Sequence, residues 1–323
     1  MLACPVSSDT VTYQIRDLGM WEASSINDLN QVVGGGDGRA ILWQNDAAQD
    51  IFDGYASHIN NLGQVLGRGS HAFVWDSGTI TYLEVPAQPN IPYIGTYAYS
   101  INDAGQVVGG VYGASSPPQY KMNAAVIWEN GSYRGLWSGP SSGPAQALDI
   151  NNSGSAVGCD GRGYAGGIGG YLQYVQSCAY AINDSGWVVG SYGYGCPPSG
   201  GPIYGSYPDH AFLSRGSDWW DLGTLGGTTS CALGISNTGQ VAGYAALADG
   251  SIHASLWQGG TVTDLGTLGG TGDSRACGIN SSGWIVGNSN GHAVLWQPVV
   301  PEPSALLAVL CGIGGLALRR RGR

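Results

Sequence analysis

Basic residues are scarce in this chain. Lys and Arg number 12 among 323 residues, and four of them, Arg319, Arg320, Arg321 and Arg323, crowd the C-terminal end. Up to Pro298 there are 21 acidic residues against 8 basic ones, a charge of about −13 on the body. Nucleic-acid binding needs a basic stripe that displaces counterions, so that class is excluded. Cations, neutral sugars or simple solubility remain compatible. Charge of either sign is only 11%, too little for a disordered polyelectrolyte and unlike a typical enzyme. Long helices are excluded as well, because 56 residues are Gly, each costing about 1 kcal/mol relative to Ala inside a helix. Strands and turns are left. Aromatic residues, chiefly 18 Tyr and 11 Trp, supply enough apolar surface for a core. The length suits one large all-β domain or two ordinary ones.

One phrase recurs. "SINDLNQVVGG" from Ser25, "HINNLGQVLGR" from His58, "SINDAGQVVGG" from Ser100 and "AINDSGWVVGS" from Ala181 are versions of it. Anchoring on the residue after Ile gives Asn27, Asn60, Asn102, Asn151, Asn183, Ser236 and Asn280, spaced irregularly from 32 to 53 residues. Three residues past each anchor stands Gly, or Asn at Asn30, the residues best suited to positive φ. A three-residue hairpin loop ends in such a residue, so Asp103-Ala104-Gly105 and its equivalents read as tight turns. The β-branched pairs that follow, such as Val107-Val108, read as short buried strands.

A third strand is expected at "HAFVW" from His71, "HASLW" from His253 and "HAVLW" from His292, with a looser "HAFLS" from His210. A fourth is expected at "DWWDLGTLGG" from Asp218 and "TVTDLGTLGG" from Thr261. Four strands per repeat and seven repeats are the pattern of an all-β protein, a seven-bladed β-propeller, with a uniform β-solenoid as the weaker alternative. The last repeat stops at Trp296 without its fourth strand. "VTYQIRDLG" at residues 11–19 can supply it and close the ring, which removes exposed sheet edges. The fourth repeat lacks a clear outer strand and is expected to be degenerate.

Few residues invite chemistry. The "HA" histidines His71, His210, His253 and His292 sit at equivalent places, which a propeller spreads around a ring, so they read as structural groups bonding nearby backbone. His58 carries no signal of its own. Asp28, Asp103 and Asp184 share one hairpin position and read as turn caps. "GTLGG" lacks the Lys of a phosphate loop. Trp43, Trp75, Trp128, Trp257 and Trp296 recur at one strand position and read as inter-blade packing. Trp137, Trp219 and Trp220 fall off the pattern and are candidates for stacking on sugars. No catalytic group, metal site or cofactor is expected. Cys159, Cys178, Cys196, Cys231 and Cys277 match no zinc motif, and disulfides are expected in an oxidising compartment, with Cys178 and Cys231 at equivalent places in successive repeats.

The composition changes after Trp296. Val300, Pro301, Glu302 and Pro303 precede an uncharged run over 304–318, and the arginine cluster follows. The run is expected to form a short membrane-type helix, brief for a full span but able to enter a bilayer with its flanks, the arginines staying cytoplasmic. This tail resembles the PEP-CTERM sorting signal of Gram-negative bacteria, and the repeats resemble the HAF repeat family of extracellular proteins. The resemblance implies processing by an exosortase near Pro301-Glu302-Pro303, transient inner-membrane association through the C-terminal segment, and delivery to the cell surface or medium. Residues 1–10 are then a possible remnant of a signal peptide, 11–298 the propeller and 299–323 the sorting signal. The function expected is a non-enzymatic surface or matrix protein, structural or binding exopolysaccharide or another surface polymer. The alternative is an extracellular propeller enzyme, a glycoside hydrolase or lyase.

Overall fold

The computed structural model describes residues 11–68, 71–85, 94–114, 121–138, 145–159, 165–167, 170–172, 177–192 and 209–299. They form seven four-stranded antiparallel sheets standing around a central channel, a β-propeller. In the first sheet the order outward from the channel is Glu22–Ile26, Val32–Gly36, Arg39–Gln44 and Ala47–Asp53. Each innermost strand contacts the next around the ring, and the last, Ser274–Ile279, returns to the first. The final sheet takes its outer strand from the start of the chain: Thr12–Gly19 pairs with His292–Val299. The fourth repeat is shortened rather than missing, its two outer strands being Ala165–Gly167 and Gly170–Leu172.

The turns follow from local chemistry. In the hairpin after Asn102, Gly105 has φ of 76°, and its N–H bonds the Asn102 carbonyl at 3.0 Å. The core lies between sheets. Val33, Ala40 and Leu42 of the first sheet pack on Ala56, Ile59 and Val65 of the second. Leu18, Trp21 and Val32 meet Val286 and Leu295 where the ring closes. The recurrent tryptophans do join sheets: the Trp296 indole N–H donates to the Leu265 carbonyl at 2.9 Å and that of Trp128 to the Glu84 carbonyl at 3.3 Å.

One feature of every sheet breaks the period of two. The innermost strand slips register by one residue against its neighbour, as between Ala98 and Ser100, and the slip recurs at the same place in all seven. A β-bulge of this kind inserts an unpaired residue and bends the strand. The residue before the bulge is always a buried Ala, from Ala23 to Ala276. Opposite it stands an invariable Gly of the second strand. At Gly109 a Cβ would run into the Tyr97 carbonyl oxygen, so no side chain fits.

Among the described residues no helix is long and apolar enough to cross a membrane; a single 3-10 turn, Leu268–Gly270, accompanies the strands. The membrane-type segment, the motif Val300 to Pro303 and the terminal arginines lie outside the described residues.

Candidate functional site

The anchor asparagines ring the narrow end of the channel. Asn102 is 4% exposed. Its Oδ1 accepts from the N–H groups of Ala104 and Gln106, 3.1 and 2.9 Å away. Its Nδ2 donates to the Gln106 side chain at 2.7 Å and, across the sheet boundary, to the Asn151 carbonyl at 3.0 Å. One amide thus caps its own turn and ties it to the next sheet. The same tie runs from Asn27 to Asn60, Asn60 to Asn102, Asn151 to Asn183, Asn183 to Ser236, and Asn280 back to Asn27. Ser236 has too short a side chain for the bridge; its hydroxyl accepts from the Gln240 N–H within its own turn.

A second ring lies one residue on. Here the structure corrects the reading of the acids as caps of their own turns. Asp103 accepts from the Asn61 N–H, Asp184 from the Asn152 N–H and Asp28 from the Ser281 N–H, each bond crossing between sheets. The three carboxylates border a polar neck of about 160 Å³.

Two residues before the anchor the repeats differ most. Four sheets carry Ser25, Ala181, Gly234 and Gly278 there, but the second, third and fourth carry His58, Ser100 and Asp149. The Ser100 hydroxyl donates to Asp149 Oδ1 at 2.6 Å, and the Ile182 N–H donates to Oδ2 at 2.8 Å. Burial raises the Asp149 carboxyl to about 6, against the opposing pull of those bonds. Burial lowers His58 to about 4, with Asp103 opposing, so its imidazole is neutral at physiological pH. Its Nδ1 faces the Ile101 N–H at 3.4 Å, which selects the tautomer with the proton on Nε2. Sequence reasoning passed over His58 and Asp149. The signal was present as a column in which small residues give way to a histidine and an aspartate.

Beyond the neck the channel widens into a cavity of about 580 Å³, the size of a small-ligand site. The bulge residues Tyr99 and Tyr180 line it together with Tyr55 and Tyr244. Burial raises all four phenols, Tyr55 to about 12, so they stand as neutral hydroxyls. Arg68 and Arg275 line the same space and lie over the rings of Tyr99 and Tyr244, 5.3 and 5.4 Å from the centroids. Glu22 is its carboxylate. Cys277, the bulge residue of the last sheet, donates its thiol to the Ala23 carbonyl, and burial pushes it up to about 12.

Other expected residues fall away from this site. The "HA" histidines bond carboxylates of the outer strand instead of backbone: His210 to Asp221 at 2.9 Å, His253 to Asp264 at 2.9 Å, and His292 to Asp17 at 3.0 Å. Each of these aspartates also accepts the N–H two residues on. The unit is structural, and its last copy spans the ring closure. Burial works against ionisation of Asp17 and Asp221, yet the Gly N–H and the imidazole hold both below the usual carboxylate range. His71 is exposed, just ahead of its strand. Trp219 is half-buried, packed on Tyr192 and Phe212, while Trp220 is 44% exposed and leans on Trp187. The Trp137 side chain lies outside the described residues. Cys178 pairs with Cys159, 5.1 Å away between Cα atoms, and joins the fourth sheet to the fifth. Cys231 is disulfide-bonded as well; Cys196 lies outside the described residues.

Neither a protein-family model nor a curated protein matches the chain. Among solved structures it is similar to virginiamycin B lyase from Staphylococcus aureus, with a TM-score of 0.58 at 9% identity, covering 90% of this chain and 100% of that one. It is also similar to a gluconolactonase from Xanthomonas campestris, TM-score 0.48 at 9% identity over 89% and 90% of the two chains. The Aleuria aurantia lectin follows at TM-score 0.35 and 12% identity, over 90% and 93%. At these identities the likeness establishes the propeller fold alone. The expectation of a non-enzymatic protein is nonetheless corrected. The fold brings His58, Asp149, Asp28, Asp103 and Asp184 together at the central neck, on an architecture shared with virginiamycin B lyase.

Proposed function

We propose that this protein is an exported propeller that binds a small polyhydroxylated ligand, a saccharide or the end of a surface polysaccharide, in its central cavity. Each of the seven sheets is read as one blade. The observation that carries the proposal is the convergence of Tyr55, Tyr99, Tyr180 and Tyr244 on one concave space. Phenol rings offer flat apolar faces to sugar C–H groups, and their hydroxyls offer hydrogen bonds to sugar hydroxyls. Export is supported by the disulfides at Cys159–Cys178 and Cys231, which belong to an oxidising compartment. In this reading an exosortase processes the tail at Val300 to Pro303, after the arginine end has held it briefly at the inner membrane. The test is a saccharide screen by titration calorimetry on the full chain. Binding that falls with Tyr55→Ala and Tyr180→Ala supports the reading; the absence of any saccharide ligand refutes it. Intact-mass measurement in a host with the matching exosortase tests delivery, and wild-type protein recovered from the medium still ending at Arg323 defeats that part.

A second reading, turnover of the bound saccharide by hydrolysis or elimination, is favoured by one observation. His58, Ser100 and Asp149 occupy one position in three neighbouring sheets, where a neutral imidazole and a carboxyl titrating near pH 6 suit acid–base chemistry. Mass spectrometry of the titrated saccharides detects product, and loss of product in Asp149→Asn assigns it to this group.

A further inference from the structure

We propose that the ligand of the central cavity is an anion, a sugar acid whose carboxylate is held by Arg68 and Arg275. The proposal rests on the reading of the cavity as a saccharide site. Its basis is a local reversal of charge. The protein carries −10 overall and only 8 basic residues up to Pro298. Two of those eight line this one space, against a single carboxylate, Glu22. They arrive from the second and the last sheets, so the fold gathers them from distant parts of the chain.

Both guanidinium groups are oriented yet unneutralised. Each lies over a tyrosine ring, and stacking of this kind fixes the guanidinium plane while its N–H edge stays open to an acceptor. Among the described residues neither forms an ion pair, whereas Arg16 and Arg39 outside the cavity bond Asp46 and Asp53 at 2.7 and 2.9 Å. Three further donors of the lining are occupied within the fold: Ser24 donates to the Ala56 carbonyl, Asn288 to the Ala23 carbonyl, and Cys277 also to Ala23. The arginine edges are the charged donors of the lining. A guanidinium fork matches a carboxylate and distinguishes it from its ester, which cannot accept with the same charge. A sugar acid would place its ring among the tyrosines and its carboxylate between the two cations.

The experiment titrates the full chain with glucuronate and galacturonate, with their methyl esters, and with glucose and galactose. The expected result is tighter binding of an acid than of its ester and neutral parent, by roughly tenfold or more. Arg68→Gln and Arg275→Gln should each weaken acid binding by about tenfold to a hundredfold and weaken ester binding far less. Added salt should weaken the acid and spare the ester. If half-buried Arg275→Gln fails to fold, exposed Arg68→Gln decides alone. A neutral sugar or ester bound as tightly as the acid overturns the anion proposal while the saccharide reading survives. So does acid binding indifferent to Arg68. Binding of no probe at all overturns both.

Discussion

Replacing Asn102 tests how the ring is held together. The buried amide makes four hydrogen bonds: two close its own turn, one fixes Gln106 and one crosses to the Asn151 carbonyl. A net hydrogen bond stabilises by about 1 kcal/mol, and a buried group left unpaired costs about 1–3 kcal/mol. Asn102→Ala removes all four and strands two turn N–H groups, so a loss of about 3–5 kcal/mol is expected, a large share of a total near 5–15 kcal/mol. Asn102→Ser copies Ser236, which keeps the bond from the residue four positions on and lacks the bridge. It should cost about 2–3 kcal/mol, because it loses the inter-sheet tie, the bond to the Gln106 side chain and the bond from the Ala104 N–H while keeping one turn bond. Differential scanning calorimetry of the full chain reads the series. Wild type should melt highest, Ser in between and Ala lowest, with Ala down by roughly 5–10 °C. An Ala variant as stable as wild type refutes the amide ring as a structural element. Equal melting of Ser and Ala refutes a stabilising role for the turn bond that Ser retains.

Two glycines separate close approach from backbone conformation. Gly109→Ala sets a Cβ against the Tyr97 carbonyl and should cost about 2 kcal/mol or more, whereas Gly105→Ala, with open space around it, should cost only about 1 kcal/mol for its positive φ; chemical denaturation ranks them, and the reverse order contradicts the bulge geometry. Asp149 binds its proton more tightly folded than unfolded, so it favours the fold at low pH and weighs against it increasingly from about pH 4 to about pH 6. Asp149→Asn should therefore gain in melting temperature on wild type across that window and hold a constant lead above it, and a pH-independent difference would contradict the raised value. The Cys159–Cys178 bridge closes a loop of 19 residues, for which about 3 kcal/mol is expected; the Cys159→Ser, Cys178→Ser double variant should melt lower than wild type under oxidising conditions, and an unchanged melting point would remove the bridge from the account.

What the sequence alone determined is whatever one repeat can state by itself. The αL glycines, the β-branched pairs and the outer "DLG" strands act over three to ten residues, and the hairpin phrase that carries the first two recurs, with variations, in all seven repeats. The repeat count also exposed the missing outer strand of the final sheet, because the last repeat stops at Trp296 and a matching "DLG" strand stands at the start of the chain. The tertiary structure decided which side chains meet. A bulge in each innermost strand adds one residue to the count, so alternation no longer tells which positions face the channel, and Tyr99, Tyr180 and Cys277 turn inward against the simple period. The Asn102 amide looks like a turn residue in sequence, since its partner on Asn151 is 49 positions away. His58, Ser100 and Asp149 look like unrelated polar substitutions until ring closure stands their strands side by side. Local chemistry is written in local sequence, but convergence on an axis is a property of the closed ring, where residues more than forty positions apart become neighbours.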